Sequence, residues 1–302
     1  MHLPRSPYPF GETLATLRRM FSPSPAGGAV AQSFDLVPGG VALRWIGFAG
    51  DVMPLMGRTL AFTPDVPAFF ADCERVVANL EGIVTEERWV PFLQRHSPAV
   101  FDALASLAPA ARWVLGIANN HAPDYGDAGF DQTLRAIEHA KMAYVGTVER
   151  PRLALAPGVT LSAWTEWTNG TSRRVPTRDP GCARAQAGDV AIAFPHWGYE
   201  FERLPRASQR ASLPAGYDVV VGHHSHLPQP LERIGDRLVA WSLGNFSTDI
   251  PLRLMAEGAL LKVGLGRGAQ GPVVVAARYA PLRVDRGKPG VCRLSLRDDP
   301  GD

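Results

Sequence analysis

The sequence predicts an α/β fold with a mostly parallel sheet covered by helices. Three observations predict it. Between residues 43 and 145 apolar runs alternate with helical stretches, in the order strand, helix, strand, helix, strand, helix, strand, which is the signature of consecutive parallel units. Most of the apolar runs end beside a glycine in a polar side chain, and open α/β sheets bind ligands just past the carboxyl ends of their strands. The chain has 302 residues, 46% hydrophobic and 20% charged, which is ordinary globular composition and enough to bury a sizeable core.

Residues 1–40 are rich in Pro and Gly (Phe21-Ser22-Pro23-Ser24-Pro25-Ala26-Gly27-Gly28). They read as a loosely held leader with one short helix near 11–20. The main domain is expected over 41–282 and a C-terminal tail over 283–302. Its first strand, 43–49, ends in Gly50-Asp51. After a helical stretch near 65–74, the second strand, 75–82, places Asn79 and Glu81 on one face. Helical sequence fills 97–109. A third strand, 112–118, delivers Asn119-Asn120-His121-Ala122-Pro123-Asp124. The helix at 128–141 spaces Phe130, Leu134 and Ile137 as a sheet-covering face, and a short strand follows at 142–145.

One or two strands are expected within 151–165. A polar loop spans 166–188, and loops of that length in a compact domain usually carry function. Arg173, Arg174 and Arg178 in it are candidates to receive an anion, although solvated loop residues are the commoner outcome. A strand at 190–194 ends in Pro195-His196-Trp197-Gly198-Tyr199-Glu200, and a helix near 203–213 leads to Val219-Val220-Val221-Gly222-His223-His224-Ser225-His226. Three β-branched residues running into a turn of imidazoles read as a buried strand with a metal site at its tip. In an extended segment His224 and His226 would share a face and His223 would oppose them. Gly235-Asp236 marks a hairpin whose second arm ends in Ser242-Leu243-Gly244-Asn245-Phe246. An antiparallel pair at about 258–265 and 272–280 closes the domain.

Several classes are excluded. Net charge is +2, which gives no basis for nucleic-acid binding by bulk electrostatics. The three cysteines (Cys73, Cys182, Cys292) are dispersed and form no C-x-x-C pair, so neither a disulfide framework nor a zinc knuckle is indicated. No signal peptide or membrane anchor is expected, which makes a cytoplasmic protein the expectation. Gly266-Arg267-Gly268-Ala269-Gln270-Gly271 matches G-x-G-x-x-G, but it joins two antiparallel strands with no helix after it and reads as a hairpin loop.

A single carboxylate after a glycine is most often a turn or cap residue. Here, however, five strands end in Asp51, Asn79/Glu81, Asn120/His121, His196 and His224/His226. Carboxylate, amide and imidazole without thiolate suit Mn, Fe or Zn. The donors outnumber what one tetrahedral zinc needs. Two divalent ions are therefore expected, roughly 3.5–4 Å apart and sharing a hydroxide that attacks a phosphoryl or acyl group.

In order along the chain, Gly50-Asp51, Asn79-Leu80-Glu81-Gly82, Ala118-Asn119-Asn120-His121 with Asp124 and Gly126, His196-Trp197-Gly198-x-Glu200, Gly222-His223-His224-x-His226 and Ser242-Leu243-Gly244-Asn245-Phe246 resemble the CapA (PGA-cap) family. These are bacterial capsule and poly-γ-glutamate biosynthesis proteins similar to calcineurin-like metallophosphoesterases. The resemblance implies a four-layer α/β/β/α sandwich of the metallo-dependent phosphatase type. It implies Asp51, Glu81, Asn120, His196, His224 and His226 as metal ligands. His121, oriented by Asp124, would stabilise or protonate the leaving group, work suited to an imidazole. Asn79, Asn119, His223, Glu200 and Asn245 would support the ligands or touch substrate. Two positions depart from the pattern: Asp51-Val52-Met53 lacks the histidine of Asp-x-His, and Ser225 replaces a proline.

The resulting expectation is a CapA-like divalent-metal-dependent hydrolase acting on a phosphoester or γ-glutamyl-type amide, with a small-molecule or peptide-like anionic substrate. Two alternatives stand beside it: a non-catalytic metal-binding component of a capsule or poly-γ-glutamate synthesis assembly, and an amide-forming or amide-cleaving tailoring enzyme. Oligomeric state is left open by the sequence.

Overall fold

The computed structural model describes residues 6–22, 29–184 and 186–297. In chain order the elements are α1 (Phe10–Phe21), β1 (Gln32–Asp35), β2 (Arg44–Val52), β3 (Thr59–Phe62), α2 (Asp65–Phe70), β4 (Cys73–Leu80), β5 (Ile83–Val84), β6 (Arg95–His96) and α3 (Ala99–Leu107). They continue with β7 (Trp113–Gly116), α4 (Gly126–His139), β8 (Ala143–Val145), β9 (Arg152–Ala156), β10 (Val159–Thr165), β11 (Val190–His196), α5 (Ala207–Ala211) and β12 (Val219–Val221). The last are β13 (Leu231–Ile234), β14 (Arg237–Ala240), β15 (Asn245–Ser247), β16 (Glu257–Arg267), β17 (Pro272–Asp285) and β18 (Val291–Leu296).

Two large sheets face each other. The first has ten strands in the order β3-β18-β17-β16-β2-β4-β7-β8, with β1 on β17 and β15 on β2; the second has six, in the order β13-β14-β12-β11-β10-β9. The expected parallel pairing is divided between them. β2, β4, β7 and β8 run parallel in the first sheet, and β10, β11, β12 and β14 in the second.

Side-chain alternation builds the layers. Ile46 and Phe48 of β2, Val77 of β4 and Val114 of β7 point between the sheets, where they meet Leu161, Ile192, Phe194, Val219 and Val221. On the outer face of the first sheet, Val76, Leu80, Trp113 and Leu115 pack under Phe70 of α2, Leu104 of α3 and Phe130 and Ile137 of α4. The outer face of the second sheet holds Trp164, Trp197, Tyr217, Val220 and Trp241, with only the five-residue α5 as helix among the described residues. The architecture is thus the four-layer α/β/β/α sandwich, its fourth layer mostly loop and indole.

Several expectations need correction. The helix expected near 203–213 shrinks to Ala207–Ala211, because Pro205 and Pro214 bracket it and the residue before a proline avoids helical angles. β3 was not expected. It is a four-residue strand whose partner, β18, lies more than two hundred residues away, so no local pattern announces it. The boundaries at 40 and 282 do not coincide with breaks in the sheet. β1 pairs with β17, β17 continues to Asp285, and β18 of the expected tail bridges β17 and β3. Nor is the described part of the leader loose: Tyr8 is buried, and α1 is fastened to the body by ion pairs of Glu12 and Arg19 with Arg206 and Glu202. Residues 1–5 and 23–28 of that leader lie outside the described residues.

Candidate metal centre

Close backbone packing draws the polar strand ends together. A Cβ on Gly50 would sit 1.9 Å from the Gly244 carbonyl oxygen, and one on Gly222 would sit 2.1 Å from that of Trp241. Only glycine lets β2 and β12 approach their neighbours this closely. β15 then lies alongside β2, with Asn245 opposite Asp51 and Asn79 opposite Asp51 on the other side.

Asp51, Glu81, His196, His223 and His224 are each at most 1% exposed, and His226 is 4% exposed. Three overlapping sets offer donor atoms within 4.8 Å of one another: Asp51, His196 and His223; Glu81, His196 and His224; Asp51, Glu81 and His226. Asn120, a ligand by expectation, sits against the same cluster, its Oδ1 2.8 Å from His196 Nε2.

Amides hold the carboxylates. Asn79 Nδ2 donates to Asp51 Oδ1 at 2.8 Å, and Asn119 Nδ2 donates to Asn79 Oδ1 at 3.2 Å and to the Leu80 carbonyl at 2.8 Å. The His224 backbone N–H donates to Asp51 Oδ2 at 3.2 Å. His226 Nδ1 lies 3.1 Å from Asn245 Oδ1 and 3.3 Å from Asp51 Oδ2.

The expected alternation of the three histidines does not occur. His224 and His226 take φ of 96° and 57°, the left-handed region that costs a residue with a Cβ about 1–2 kcal/mol. That twist turns all three rings inward. The ring centroid of His196 lies 4.9 Å from that of His223 and 4.3 Å from that of His224. His223, expected in a supporting role, therefore stands among the donors. Met53, where the histidine of Asp-x-His is missing, is buried in an apolar cluster with Phe201, Leu227 and Met255.

The charges follow from this crowding. Burial, aided by the neighbouring imidazoles, holds His196 and His224 well below the usual histidine range, and burial brings His223 down to about 4. Neutral imidazoles are the form that binds cations. Burial also disfavours charge on His226, but the charge of Glu81 and the hydrogen bond to Asp51 outweigh it and raise His226 to about 10. For Asp51 burial works upward, yet the hydrogen bond with His226 and the nearby imidazole charges bring it down to about 2. Burial raises Glu81. A proton is thus held among Asp51, Glu81 and His226, where a cation would displace it.

His121 and Asp124 stand at the edge of this cluster, with His121 Nδ1 2.8 Å from Asp124 Oδ2. Glu200 makes two backbone contacts, its N–H donating to the Tyr8 hydroxyl at 3.1 Å and its carbonyl accepting from Arg19 Nε at 3.0 Å, and its carboxylate acts electrostatically on His226. Two site residues escaped the sequence. Asn169, in the long 166–188 loop, places Nδ2 3.3 Å from His121 Nε2 and Oδ1 3.3 Å from Asn120 Nδ2. Tyr8 lies 2.6 Å from His224 Nε2. The length of the loop was a usable signal for Asn169; nothing local marked Tyr8. Arg174, a candidate anion receptor, instead pairs with Asp131 and lies over the Phe130 ring, while Arg173 and Arg178 are exposed.

The arrangement defines a two-sheet α/β protein with a buried carboxylate–imidazole cluster at its strand ends. Residues 46–167 and 177–249 match the family described as Bacterial capsule synthesis protein PGA_cap, and the chain belongs to that family. It is 27% identical over 282 residues to the PGA biosynthesis protein CapA of Bacillus subtilis, covering 79% of this chain and 73% of that one. It is 26% identical over 235 residues to the capsule biosynthesis protein CapA of Bacillus anthracis, covering 64% of this chain and 53% of that one. Among solved structures, the calcineurin-like phosphoesterase YfkN of Bacillus subtilis aligns with a TM-score of 0.42 at 13% identity, covering 79% of this chain and 90% of that one. Among the described residues no helix is long and apolar enough to cross a membrane.

Proposed function

We propose that this chain is a CapA-like, divalent-metal-dependent hydrolase acting on a phosphoester or a γ-glutamyl-type amide. One observation carries the reading. Glu81 Oε1, His223 Nδ1 and His224 Nδ1 are buried beside one another's donor sets without a hydrogen-bond partner. An unpaired buried polar atom costs about 1–3 kcal/mol, and three in one cluster of oxygen and nitrogen donors are accounted for together by bound cations. That donor chemistry fits Mn, Fe or Zn.

Asp51, Glu81, Asn120, His196, His224 and His226 would hold one or two ions, with His223 as the additional imidazole beside Asp51. Bound cations supply Lewis acidity there, lowering the pKa of a water and neutralising charge that develops on the phosphoryl or carbonyl oxygens. Asn79, Asn119 and Asn245 keep the ligands aimed. With Asp124 accepting from His121 Nδ1, Nε2 of the doubly protonated ring is the nitrogen that would hand a proton to the departing alkoxide or amine. Asn169 would steady that ring. The names of the relatives, PGA and capsule biosynthesis, favour the γ-glutamyl substrate of the two.

A second reading, a non-catalytic component of a capsule or poly-γ-glutamate assembly, draws on the same names and on the burial of the whole cluster. Elemental analysis of the purified chain, followed by incubation with Mn²⁺ or Zn²⁺ and a panel of phosphoesters and γ-glutamyl amides, separates the two. Turnover that vanishes in His121→Ala with metal retained supports the hydrolase. Loaded protein that is inert to every substrate supports the assembly role, and protein that takes up no ion removes both.

A further inference from the structure

We propose that Tyr8, outside the residues matched to the family, is a positioning residue of the metal centre: its hydroxyl fixes His224 so that Nδ1 faces the cation. The inference rests on the metal reading above. Tyr8 is 7% exposed, although Pro9 and Phe10 beside it are exposed. Its ring is wedged between Trp167, edge-on at 4.8 Å between centroids, and Tyr199 at 5.7 Å. Its Oη lies 2.6 Å from His224 Nε2 and accepts the backbone N–H of Glu200 at 3.1 Å.

The helix that follows locks this placement. Arg19 Nε donates to the Glu200 carbonyl at 3.0 Å, so the peptide groups on both sides of Glu200 are gripped by the N-terminal segment. Glu12 accepts from Arg19 and from Arg206, each at 2.7 Å. Glu202 lies 3.3 Å from Arg19 and bonds Arg206 at 2.6 Å.

The consequence for His224 is specific. A neutral imidazole carries one N–H and one lone pair. Donating Nε2–H to the phenolic oxygen leaves the lone pair on Nδ1, and Nδ1 is the ring nitrogen that is buried without a partner. The opposite tautomer would bury an N–H with nothing to accept it. The left-handed backbone of His224 (φ 96°) brings its ring inward, and the hydroxyl then sets which ring nitrogen carries the lone pair. An outer partner on the distal nitrogen is the usual device for orienting a metal-binding histidine, and its loss typically costs about 10–100-fold in metal affinity or activity.

The test uses the full chain, with Mn²⁺, Zn²⁺ and Co²⁺ each as the sole probe. Tyr8→Phe keeps the aromatic packing and removes only the hydroxyl. The expected result is a Kd raised about 10–100-fold and a shifted visible absorption of the cobalt-loaded protein, with the metal-free protein still folded and melting in one cooperative transition. Tyr8→Ala should weaken binding no further than Tyr8→Phe if the hydroxyl is what matters. Equal affinity and equal cobalt spectra in wild type and Tyr8→Phe would overturn the role of Tyr8 while leaving the metal centre standing, as would a loss seen only in Tyr8→Ala. Wild-type protein that binds none of the three ions would remove the metal reading itself, and this inference with it.

Discussion

Oδ2 of Asp124 lies 2.8 Å from Nδ1 of His121, and the same oxygen accepts the backbone N–H of Gln94 at 2.7 Å. The carboxylate is thus pinned from outside the site and fixes the tautomer and aim of the imidazole beside the cation cluster. On the proposed chemistry, His121→Ala lowers kcat by about 10²–10⁴-fold, the usual worth of a positioned proton donor. Asp124→Asn, which misdirects the ring without removing it, is expected to cost less. Both variants should retain the wild-type metal content by elemental analysis; loss of metal in either would assign the pair to ligand support instead.

Asn169 reaches the site from the long loop and touches both Asn120 and His121. Asn169→Ala removes one hydrogen-bonding side chain, worth about 1 kcal/mol. A several-fold drop in kcat with unchanged metal content and melting temperature is expected. An activity equal to wild type would show that the loop only covers the site.

Gly222 closes the strand that carries the histidine turn. An added methyl would sit 2.1 Å from the Trp241 carbonyl oxygen and 2.2 Å from Trp197 Nε1. Neither can yield cheaply, because the two indoles are stacked with centroids 5.5 Å apart and the Trp197 N–H donates to that carbonyl at 3.0 Å. Gly222→Ala should destabilise the fold by about 1–3 kcal/mol, as overpacking does. Urea unfolding measures the change, and a midpoint equal to wild type would mean that β12 and β14 can part.

His96 is buried and its Nε2 lies 2.9 Å from the Glu81 carbonyl. Burial lowers its pKa to about 4, against roughly 6.5 in an unfolded chain. Between those values the unfolded state holds a proton that the folded state does not, so stability is full above about 6.5 and falls as pH drops toward 4. The slope is at most about 1.4 kcal/mol per pH unit for one group. Metal-free protein should therefore lose urea resistance from pH 7 to pH 5, and His96→Gln should flatten the curve by one proton's worth. An unchanged slope in the variant would show that other groups carry the acid sensitivity.

The strand-end polar residues were legible because each belongs to a local pattern: an apolar run that ends in a ligand-capable side chain, most with a glycine close by. Asp51, Glu81, His121, His196 and the 223–226 turn all fall in such windows, and the turn at Gly266–Gly271 read correctly as a hairpin for the same reason. The helix near 11–20 was legible and forms as α1 (Phe10–Phe21), but which of its faces meets the body was not. Its apolar residues Phe10, Leu14, Leu17 and Phe21 face outward, while Glu12, Thr16 and Arg19 face the body. Amphipathic spacing identifies a helix but does not say which face is inside.

By itself the sequence determined the layered α/β class and the roster of nitrogen and oxygen donors, because both are written in stretches of four to ten residues. Only the tertiary structure decided that the parallel strands divide between two sheets, that His223 turns inward with its neighbours, and that Tyr8 reaches His224 across 216 positions. Those outcomes depend on left-handed backbone at the histidine turn and on contacts between distant segments, and neither leaves a periodic trace in the chain.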